Sequence, residues 1–452
     1  MGTGDSGRWE WMVTGGHDEL VVGGPTRTEL ARRAARLADD AGFRGPWHML
    51  ATHDRGDAAI VLLAAATSPQ APVLVVPYAL SPRVLDDVAG AAEETFGGRP
   101  SNGATDLLHL FTGGSTGRPK AWPKSRENLF GEARFLAARF GIGPGDTILA
   151  AVPPYHIYGL LFSVLLPLVS GARVIGETPF LPRELEALAT RHGATVLVAA
   201  PAHYRALSAA GVAIPGLRIA FSSGGFLDEG DCRRFGERSH SRVVEVYGST
   251  ETGGIASRCR QDGDEDWTPF PVLGWTVDGE RLCVRSPFMS RGLDVRADGM
   301  FVTGDRVEAT SSGRFQLLGR ADGVVKVGGK RVVLEDVRRK LLQLPGIRDA
   351  FVVGMPVAGG RETELVALVV EETGPGAAAD GGVAGHGEGP GGGAGETGWR
   401  HRMSQSLEPA ERPRRFVRVD ALPLTAAGKP DQEAARRMAG EPGDDDSGIG
   451  GG

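Results

Sequence analysis

The chain has 452 residues, 41% of them hydrophobic, and a formal net charge of −6. That length exceeds one ordinary core and predicts two or three domains, while the acidic balance argues against a strongly basic surface for nucleic acid or anionic membranes. Its 68 glycines follow no period, which excludes a collagen-like chain, and its three cysteines, Cys232, Cys259 and Cys283, lack metal-site spacing and are odd in number, against a disulfide framework.

The opening MGTGDSGRWEWMV is acidic and polar, without the basic-then-apolar order of a secretory signal. The longest apolar run, from Gly159 to Val174, is short for a bilayer span and is broken by glycine and proline. A cytoplasmic globular enzyme without a membrane span is the expectation, with a large binding protein as the competing reading.

In chain order, ELARRAARLADDA (29–41) places apolar residues at helical spacing. AAIVLLAAATS is a buried helix or strand, and APVLVVPYAL a strand. TDLLHLF is a strand that runs into a glycine-rich loop, after which Leu129, Ala133, Leu136 and Phe140 share one helical face. DTILAAVPP, ATVLVAAP, LRIAFSSGG and SRVVEVYGSTETGG repeat the buried-strand pattern, most beside a helical segment. Such alternation predicts an α/β layer architecture with ligand loops at the carboxyl ends of strands. From about Trp275 the pattern turns to short, alternating, turn-bounded strands, GERLCVRSP, MFVTGD and GRFQLLGRAD. EDVRRKLLQLPGIRDAFVVG predicts helix, turn and strand, and ETELVALVVEE another strand. The division expected is a large α/β domain over 1–319, a small α+β domain over 320–438, and a disordered tail over 439–452. Between Gly374 and Gly398 lie 12 glycines in 25 residues. Such a segment gains little by burial and loses much backbone entropy on ordering, which predicts a disordered surface loop.

Five stretches carry chemistry. In TGGSTGRPK, from Thr112 to Lys120, small residues let main-chain N–H groups approach an anion, Thr112, Ser115 and Thr116 add hydroxyls, and Lys120 adds charge. The order Gly117, Arg118, Pro119, Lys120, Ala121 is not a Walker A motif, which disfavours a P-loop ATPase. In VYGSTETGG, Tyr247 is an aromatic plate, Thr250 a donor, and Glu251 a hard oxygen ligand suited to Mg²⁺. SSGG, Ser222 to Gly225, leaves a flat ring free access to the backbone. In TGD and the following GRADGVVKVGGKR, Asp305 could accept both hydroxyls of a ribose and Arg320 could meet a ribose or phosphate. In LPLTAAGKPD, Lys429 stands in a Gly/Pro-flanked turn. Taken singly, each is also explained as a solvated turn or a surface side chain.

Taken in this order, the set resembles the adenylate-forming superfamily of acyl-CoA and aryl-CoA ligases, peptide-synthetase adenylation domains and luciferases, over nearly the whole chain. FTGGSTGRPK is similar to the family's phosphate loop, PPYHIYG to its acyl-side segment with His156, and SSGG to the adenine-side glycines Gly224 and Gly225. YGSTE is similar to the adenine-stacking and Mg²⁺ segment, and TGD to the ribose aspartate. GRADGVVKVGGKRV is similar to the hinge and thiol-side loop, and LPLTAAGK to the segment of the catalytic lysine. The chain departs from the pattern in a short region before the phosphate loop, in Arg126 where a histidine is usual, and in Pro430 and Asp431 after Lys429. Its compact frame looks most like ligases associated with aryl-polyene or acyl-carrier-protein pathways.

The resemblance implies activation of a carboxylic acid, aromatic or short, by ATP to acyl-AMP with pyrophosphate release, then transfer to the thiol of CoA or an acyl carrier protein. It implies that Thr112, Gly113, Gly114, Ser115, Thr116, Gly117 and Lys120 hold phosphates, with Tyr247, Gly248, Gly224, Gly225, Asp305 and Arg320 around the nucleoside. Mg²⁺ falls to Glu251 and Thr116, the α-phosphate to Thr250, and the catalytic charge to Lys429. Asp322 becomes the hinge of a mobile small domain, and Gly328 and Gly329 face the thiol. Tyr155, Tyr158, Phe221 and Phe226 join His156 as acyl-pocket candidates. A monomer or homodimer is expected. The alternatives are adenylation with transfer to an amine or with no transfer, and a non-catalytic ATP-binding homologue.

Overall fold

The computed structural model describes residues 18–97, 106–112, 119–321, 323–328, 330–357, 363–371, 396–424 and 431–440. They fall into two compact units. The first holds the described residues of 1–303 and 308–316; the second holds those of 304–307 and from 317 onward.

The first unit begins with helix α1 (Arg27–Asp39). Thr26 caps it by accepting from the Glu29 amide, and Leu30, Ala34 and Ala38 form its buried stripe. Strand β1 (Trp47–Met49), helix α2 (Arg55–Thr67), strand β2 (Val73–Val76), helix α3 (Pro82–Phe96) and strands β3 (Leu108–Thr112) and β4 (Lys120–Lys124) follow. The apolar run whose periodicity left helix or strand open is therefore helix α2, buried on most sides. The sheet order is β1-β2-β3-β4, parallel except for the antiparallel hairpin β3–β4.

Helix α4 (Arg126–Phe140) starts at a capping box in which Ser125 and Asn128 exchange bonds, and it ends at Gly141 in the left-handed region. Its face of Leu129, Ala133 and Leu136 is buried. Strand β5 (Thr147–Ala150), helix α5 (Ile157–Leu160), a π-helical turn over Leu161–Leu165, and helix α6 (Leu166–Ser170) come next. Then follow β6 (Arg173–Val174), α7 (Pro182–His192), β7 (Val196–Ala199), α8 (Pro201–Ala209), β8 (Ile219–Ser222), α9 (Glu229–Ser239), β9 (Arg242–Ser249), β10 (Gly253–Arg258) and β11 (Thr268–Pro269). These strands form a seven-stranded sheet in the order β11-β10-β9-β8-β7-β5-β6. From β6 to β9 it is parallel, and β10 and β11 close it as antiparallel edges. Every residue of β5, β7 and β8 is buried, as expected of parallel strands covered on both faces.

Helix α2 is fastened to this sheet by Arg55, which is 1% exposed. Its guanidinium donates to the carbonyls of Gly176 (2.5 Å), Glu177 (3.2 Å), Ala150 (2.9 Å) and Val152 (3.3 Å). A further sheet has the order β12 (Gly274–Asp278), β13 (Arg281–Arg285), β14 (Phe301–Ala309), β15 (Phe315–Arg320), and the chain enters the second unit along β14 and β15.

The second unit carries the hairpin β16 (Val324–Val327) and β17 (Lys330–Val333), helix α10 (Leu334–Leu341), and strands β18 (Ile347–Pro356) and β19 (Thr363–Glu371). Helix α11 (Glu396–Ser406), strand β20 (Arg415–Arg418) and helix α12 (Gln432–Met438) complete it. Its sheet runs β18-β19-β20, antiparallel then parallel. A large α/β domain followed by a smaller α+β domain is the fold expected from the sequence. Most of the glycine-rich stretch, and the chain beyond Gly440, lie outside the described residues. Two edges of those expectations are corrected. Helix α11 already includes Glu396, Thr397 and Gly398, because Trp399 and Met403, each 1% exposed, give its first turns an apolar anchor. Ala439 is buried beside Ala435 against Val353 and Met355 and belongs to the core, not to a tail.

Candidate active site

The motif segments converge where the parallel strands end. Strand β5 runs through Ala151–Pro153 to His156, the residue that precedes α5. Strand β8 runs into Ser222–Gly225, and its neighbour β9 runs into Tyr247–Glu251, with Ser222 paired to Glu245 across the ladder. One edge of one sheet therefore presents all three segments, the carboxyl edge at which open α/β sheets bind ligands.

The turn of the β9–β10 hairpin is the most constrained of them. Gly253 pairs with Ser249, so Thr250, Glu251 and Thr252 form the bend. Ser249 Oγ accepts from the Thr252 amide at 3.2 Å and lies 2.9 Å from its hydroxyl. The Glu251 carbonyl accepts from the Ser290 amide at 2.7 Å, and the Thr250 carbonyl from the Ser290 hydroxyl at 3.4 Å. A Cβ on Gly248 would lie 2.4 Å from the Gly253 carbonyl oxygen, so the hairpin itself demands that glycine. Gly253, at φ +70°, sits in the left-handed region. Tyr247 packs its ring against Trp267 (5.4 Å) and Phe315 (5.9 Å), which fixes the plane of the plate.

Beneath the bend lie two charged residues that the sequence reading passed over. Lys124, the last residue of β4, is 0% exposed, and Glu132 on α4 is 2% exposed. Lys124 Nζ donates to the Phe288 carbonyl at 2.7 Å and reaches the Glu251 carbonyl at 3.4 Å. Glu132 Oε1 accepts from the Gly254 amide at 2.6 Å. Burial pushes the Glu132 carboxyl above its ordinary range and the Lys124 ammonium below its own, while the charge of each opposes the shift of the other. A signal for them was present. Lys124 occupies an inward-facing position of β4, and Glu132 sits on the same helical face as Leu129, Ala133 and Leu136. Opposite charges at two core positions call for a reason.

At the phosphate loop the structure describes only the two ends. Thr112 and Lys120 are register partners at the mouth of the β3–β4 hairpin. Thr112 Oγ1 accepts from Trp122 Nε1 at 2.9 Å, a bond that does not use its O–H. Lys120 Nζ lies 4.2 Å over the Trp122 ring centroid. Gly113, Gly114, Ser115, Thr116 and Gly117 lie outside the described residues, as do Asp322, Gly329 and Lys429.

Gly224 adopts φ +89°, a conformation that turns the chain after β8, and Gly225 has ordinary space around it, Pro201 being 3.6 Å from a Cβ placed there. On the acyl side, the His156 and Tyr155 rings approach at 4.9 Å, and His53 meets Tyr155 edge-on at 5.3 Å. Tyr158 donates its hydroxyl to the Ala199 carbonyl at 3.2 Å, and Phe221 is fully buried against Phe140 and Phe162. Phe221 is thus part of the packed core, Tyr158 is half-buried, and Phe226 is 44% exposed.

In the second unit, Arg320 and Asp305 lie 3.6 Å apart, and Gly304 admits the guanidinium, since a Cβ there would lie 2.6 Å from Arg320 Nη2. Gly328, at φ +55° with nothing within 4 Å of a Cβ, occupies the tight turn between β16 and β17. Among the described residues no cluster of three or more His, Cys, Asp or Glu side chains could hold a metal. Glu251 supplies the one carboxylate of the β9–β10 bend, and a carboxylate is a hard oxygen donor of the kind Mg²⁺ takes. No helix among the described residues is long and apolar enough to cross a membrane.

Known proteins give this geometry a family. The chain is 32% identical over 326 residues to a 4-coumarate–CoA ligase of Rhodobacter capsulatus, covering 70% of this chain and 73% of that one. It is 30% identical over 299 residues to a sulfoacetate–CoA ligase of Cupriavidus necator, covering 60% and 58%. Its fold matches the ATP-bound crystal structure of MatB from Rhodopseudomonas palustris with a TM-score of 0.73 at 23% identity, over 93% of this chain and 96% of that one. The model of the AMP-binding enzyme family matches residues 46–294, so the chain belongs to that family of adenylate-forming enzymes, whose members activate acids to acyl adenylates with ATP.

Proposed function

We propose that this protein activates an aromatic or short carboxylic acid as its acyl adenylate and transfers the acyl group to a thiol, that of CoA or of an acyl carrier protein. The observation that carries the reading is the convergence of His156, Gly224–Gly225 and Tyr247–Glu251 on the carboxyl edge of one parallel sheet, with the bend bearing Thr250 and Glu251 fastened from behind. The 4-coumarate–CoA ligase likeness supports an aromatic acid and CoA as the first pair to try.

A carboxylate is a poor electrophile, because its charge repels nucleophiles and oxide does not leave. Attack of a carboxylate oxygen on the α-phosphorus forms the acyl–phosphate bond, breaks the bond to the β-phosphate oxygen and releases pyrophosphate. Thiolate attack at the acyl carbon then expels AMP. The protein's task is placement and charge neutralisation. In this reading the residues from Thr112 to Lys120 hold the β- and γ-phosphates, and Thr250 donates to the α-phosphate. Tyr247 stacks on the adenine beside Gly224 and Gly225, and Asp305 and Arg320 meet the ribose. Glu251, with Thr116, would hold Mg²⁺, which supplies charge neutralisation on the phosphate oxygens. Lys429 bridges the incoming carboxylate and the α-phosphate. The second step uses a rotated small domain, with Asp322 as hinge and Gly328 and Gly329 beside the pantetheine arm.

The test is acid-dependent pyrophosphate release across aromatic, hydroxyaromatic and short aliphatic acids, with mass detection of the adenylate, repeated with CoA, with a phosphopantetheinylated carrier protein and with an amine. Adenylate formed with an acid and consumed only by a thiol supports the reading. Consumption by the amine alone, or phosphate release from ATP without any acid, refutes it.

A further inference from the structure

We propose that Lys124 and Glu132 are positioning residues for the nucleotide site, a buried charge pair that ties the strand leaving the phosphate loop to the bend carrying Thr250 and Glu251. The inference rests on the nucleotide-binding part of the reading above.

Burying an ammonium and a carboxylate is costly, and a well-packed apolar pair of the same volume serves stability as well or better. These two are therefore retained for what they touch. Neither spends its bonds on a neighbouring surface group. Lys124 donates to the carbonyls of Glu251 and Phe288, and Glu132 accepts from the Gly254 amide. Ser290 adds its amide and hydroxyl to the carbonyls of Glu251 and Thr250. Together they hold the main chain at residues 250, 251 and 254, on both sides of the bend. None of these bonds uses the Thr250 hydroxyl or the Glu251 carboxylate, so the clamp acts on the backbone and leaves the two functional side chains for a ligand.

The local sequence fits the clamp. A Cβ on Gly253 would lie 2.8 Å from Glu132 Oε2, and one on Gly254 would lie 3.2 Å from Oε1. The Gly253–Gly254 pair is thus what lets the carboxylate reach the bend. On the other side, β4 is the strand that emerges from the phosphate loop at Lys120, in register with Thr112, and ends at Lys124. A displacement at either segment is passed to the other through one side chain.

The experiment compares Lys124→Met, Glu132→Gln and the double variant with the wild-type protein. Glutamine keeps an acceptor for the Gly254 amide, and methionine keeps the volume of the lysine stem. Three quantities are read: melting temperature, binding of ATP with Mn²⁺ in place of Mg²⁺ by calorimetry or electron paramagnetic resonance, and pyrophosphate exchange. Each single variant leaves a lone buried charge or half a pair and melts lower; the double variant regains most of that loss. Expected with it are Mn·ATP binding weakened about tenfold and exchange slowed by about tenfold to a hundredfold. A double variant that regains stability, Mn·ATP affinity and exchange together would show a structural pair only and overturn the inference. Should the double variant fail to fold, hydrogen exchange in Glu132→Gln decides: faster exchange confined to amides 250–254 supports the clamp, and unchanged exchange there overturns it. If the wild-type protein binds Mn·ATP yet exchanges pyrophosphate with no acid, the adenylation reading falls while the binding comparison still decides this inference.

Discussion

Replacing Gly248 by alanine tests whether the β9–β10 bend sets activity through its backbone. The added Cβ would lie 2.4 Å from the Gly253 carbonyl oxygen, 2.8 Å from Gly254 Cα and 3.0 Å from Gly253 C. All three are backbone atoms and cannot rotate away, so the hairpin must open by roughly 0.6–1 Å to reach ordinary contact. Overpacking of this kind costs about 1–3 kcal/mol, which for a unit of this size corresponds to a fall of about 2–6 °C in melting temperature. The functional effect should be larger than the structural one. Misplacing a positioned group by about 1 Å can slow the chemistry about a hundredfold, and Gly248 stands two residues before Thr250 and three before Glu251. The assay is acid-dependent pyrophosphate exchange at saturating ATP beside thermal melting. Gly263→Ala is the control: its φ of +82° imposes backbone strain, but nothing lies within 4 Å of the new Cβ, so melting should fall by a comparable amount with exchange intact. A Gly248→Ala protein that exchanges pyrophosphate at the wild-type rate would refute the argument that this bend positions the reaction.

Three further outcomes are expected. Asp146, with its side chain 8% exposed, accepts from Arg218 Nε (2.8 Å) and Nη2 (2.7 Å), Thr195 Oγ1 (2.8 Å) and the Gly143 amide (3.0 Å). Burial raises its pKa, but the bonds from Arg218, Gly143 and Thr195 outweigh it and hold the carboxyl below its ordinary value, so the stabilisation is present above the unfolded-state pKa and is lost as pH falls through the folded one. Asp146→Asn should cost about 2 kcal/mol in denaturant melts at pH 7, with the gap to wild type closing as the pH drops below the ordinary carboxylate range; a gap independent of pH would count against the assignment. Lys429→Ala should slow adenylation about a hundredfold, some 3 kcal/mol at the transition state, while ATP binding by calorimetry changes little; a proportional fall in both would remove its catalytic role. Asp322→Pro should spare pyrophosphate exchange and suppress thioester formation, and equal loss of both half-reactions would argue against a hinge there.

The fold was legible because its strands obey simple rules. Val196–Ala199 and Ile219–Ser222 read as buried runs bounded by helical periods, and they are parallel central strands. Arg55–Thr67 was ambiguous because nine of its thirteen residues are buried; such a segment loses the one-sided pattern that separates helix from strand. The candidate site stood out in the sequence where its chemistry leaves a compositional trace, as in the glycines, hydroxyls and Glu251 of GSTETGG. Two of those glycines, Gly248 and Gly253, turn out to satisfy the hairpin's own geometry. Lys124 and Glu132 escaped notice because a charged residue in a sequence reads as surface, and only tertiary placement shows that both side chains lie inside. Ser290 was silent for another reason: its partners are main-chain atoms distant in sequence, Glu251 O and Thr250 O.

Arg55 carries a consequence for how the first unit comes apart. It stands on the helix between β1 and β2, yet its guanidinium grips carbonyls at the end of β5 and just beyond β5 and β6 in the other sheet. Pulling the small sheet away would strand that cation among emptied acceptors, a penalty that neither sheet can meet alone. The two sheets should therefore melt as a single cooperative block, with one shared protection class in native-state hydrogen exchange.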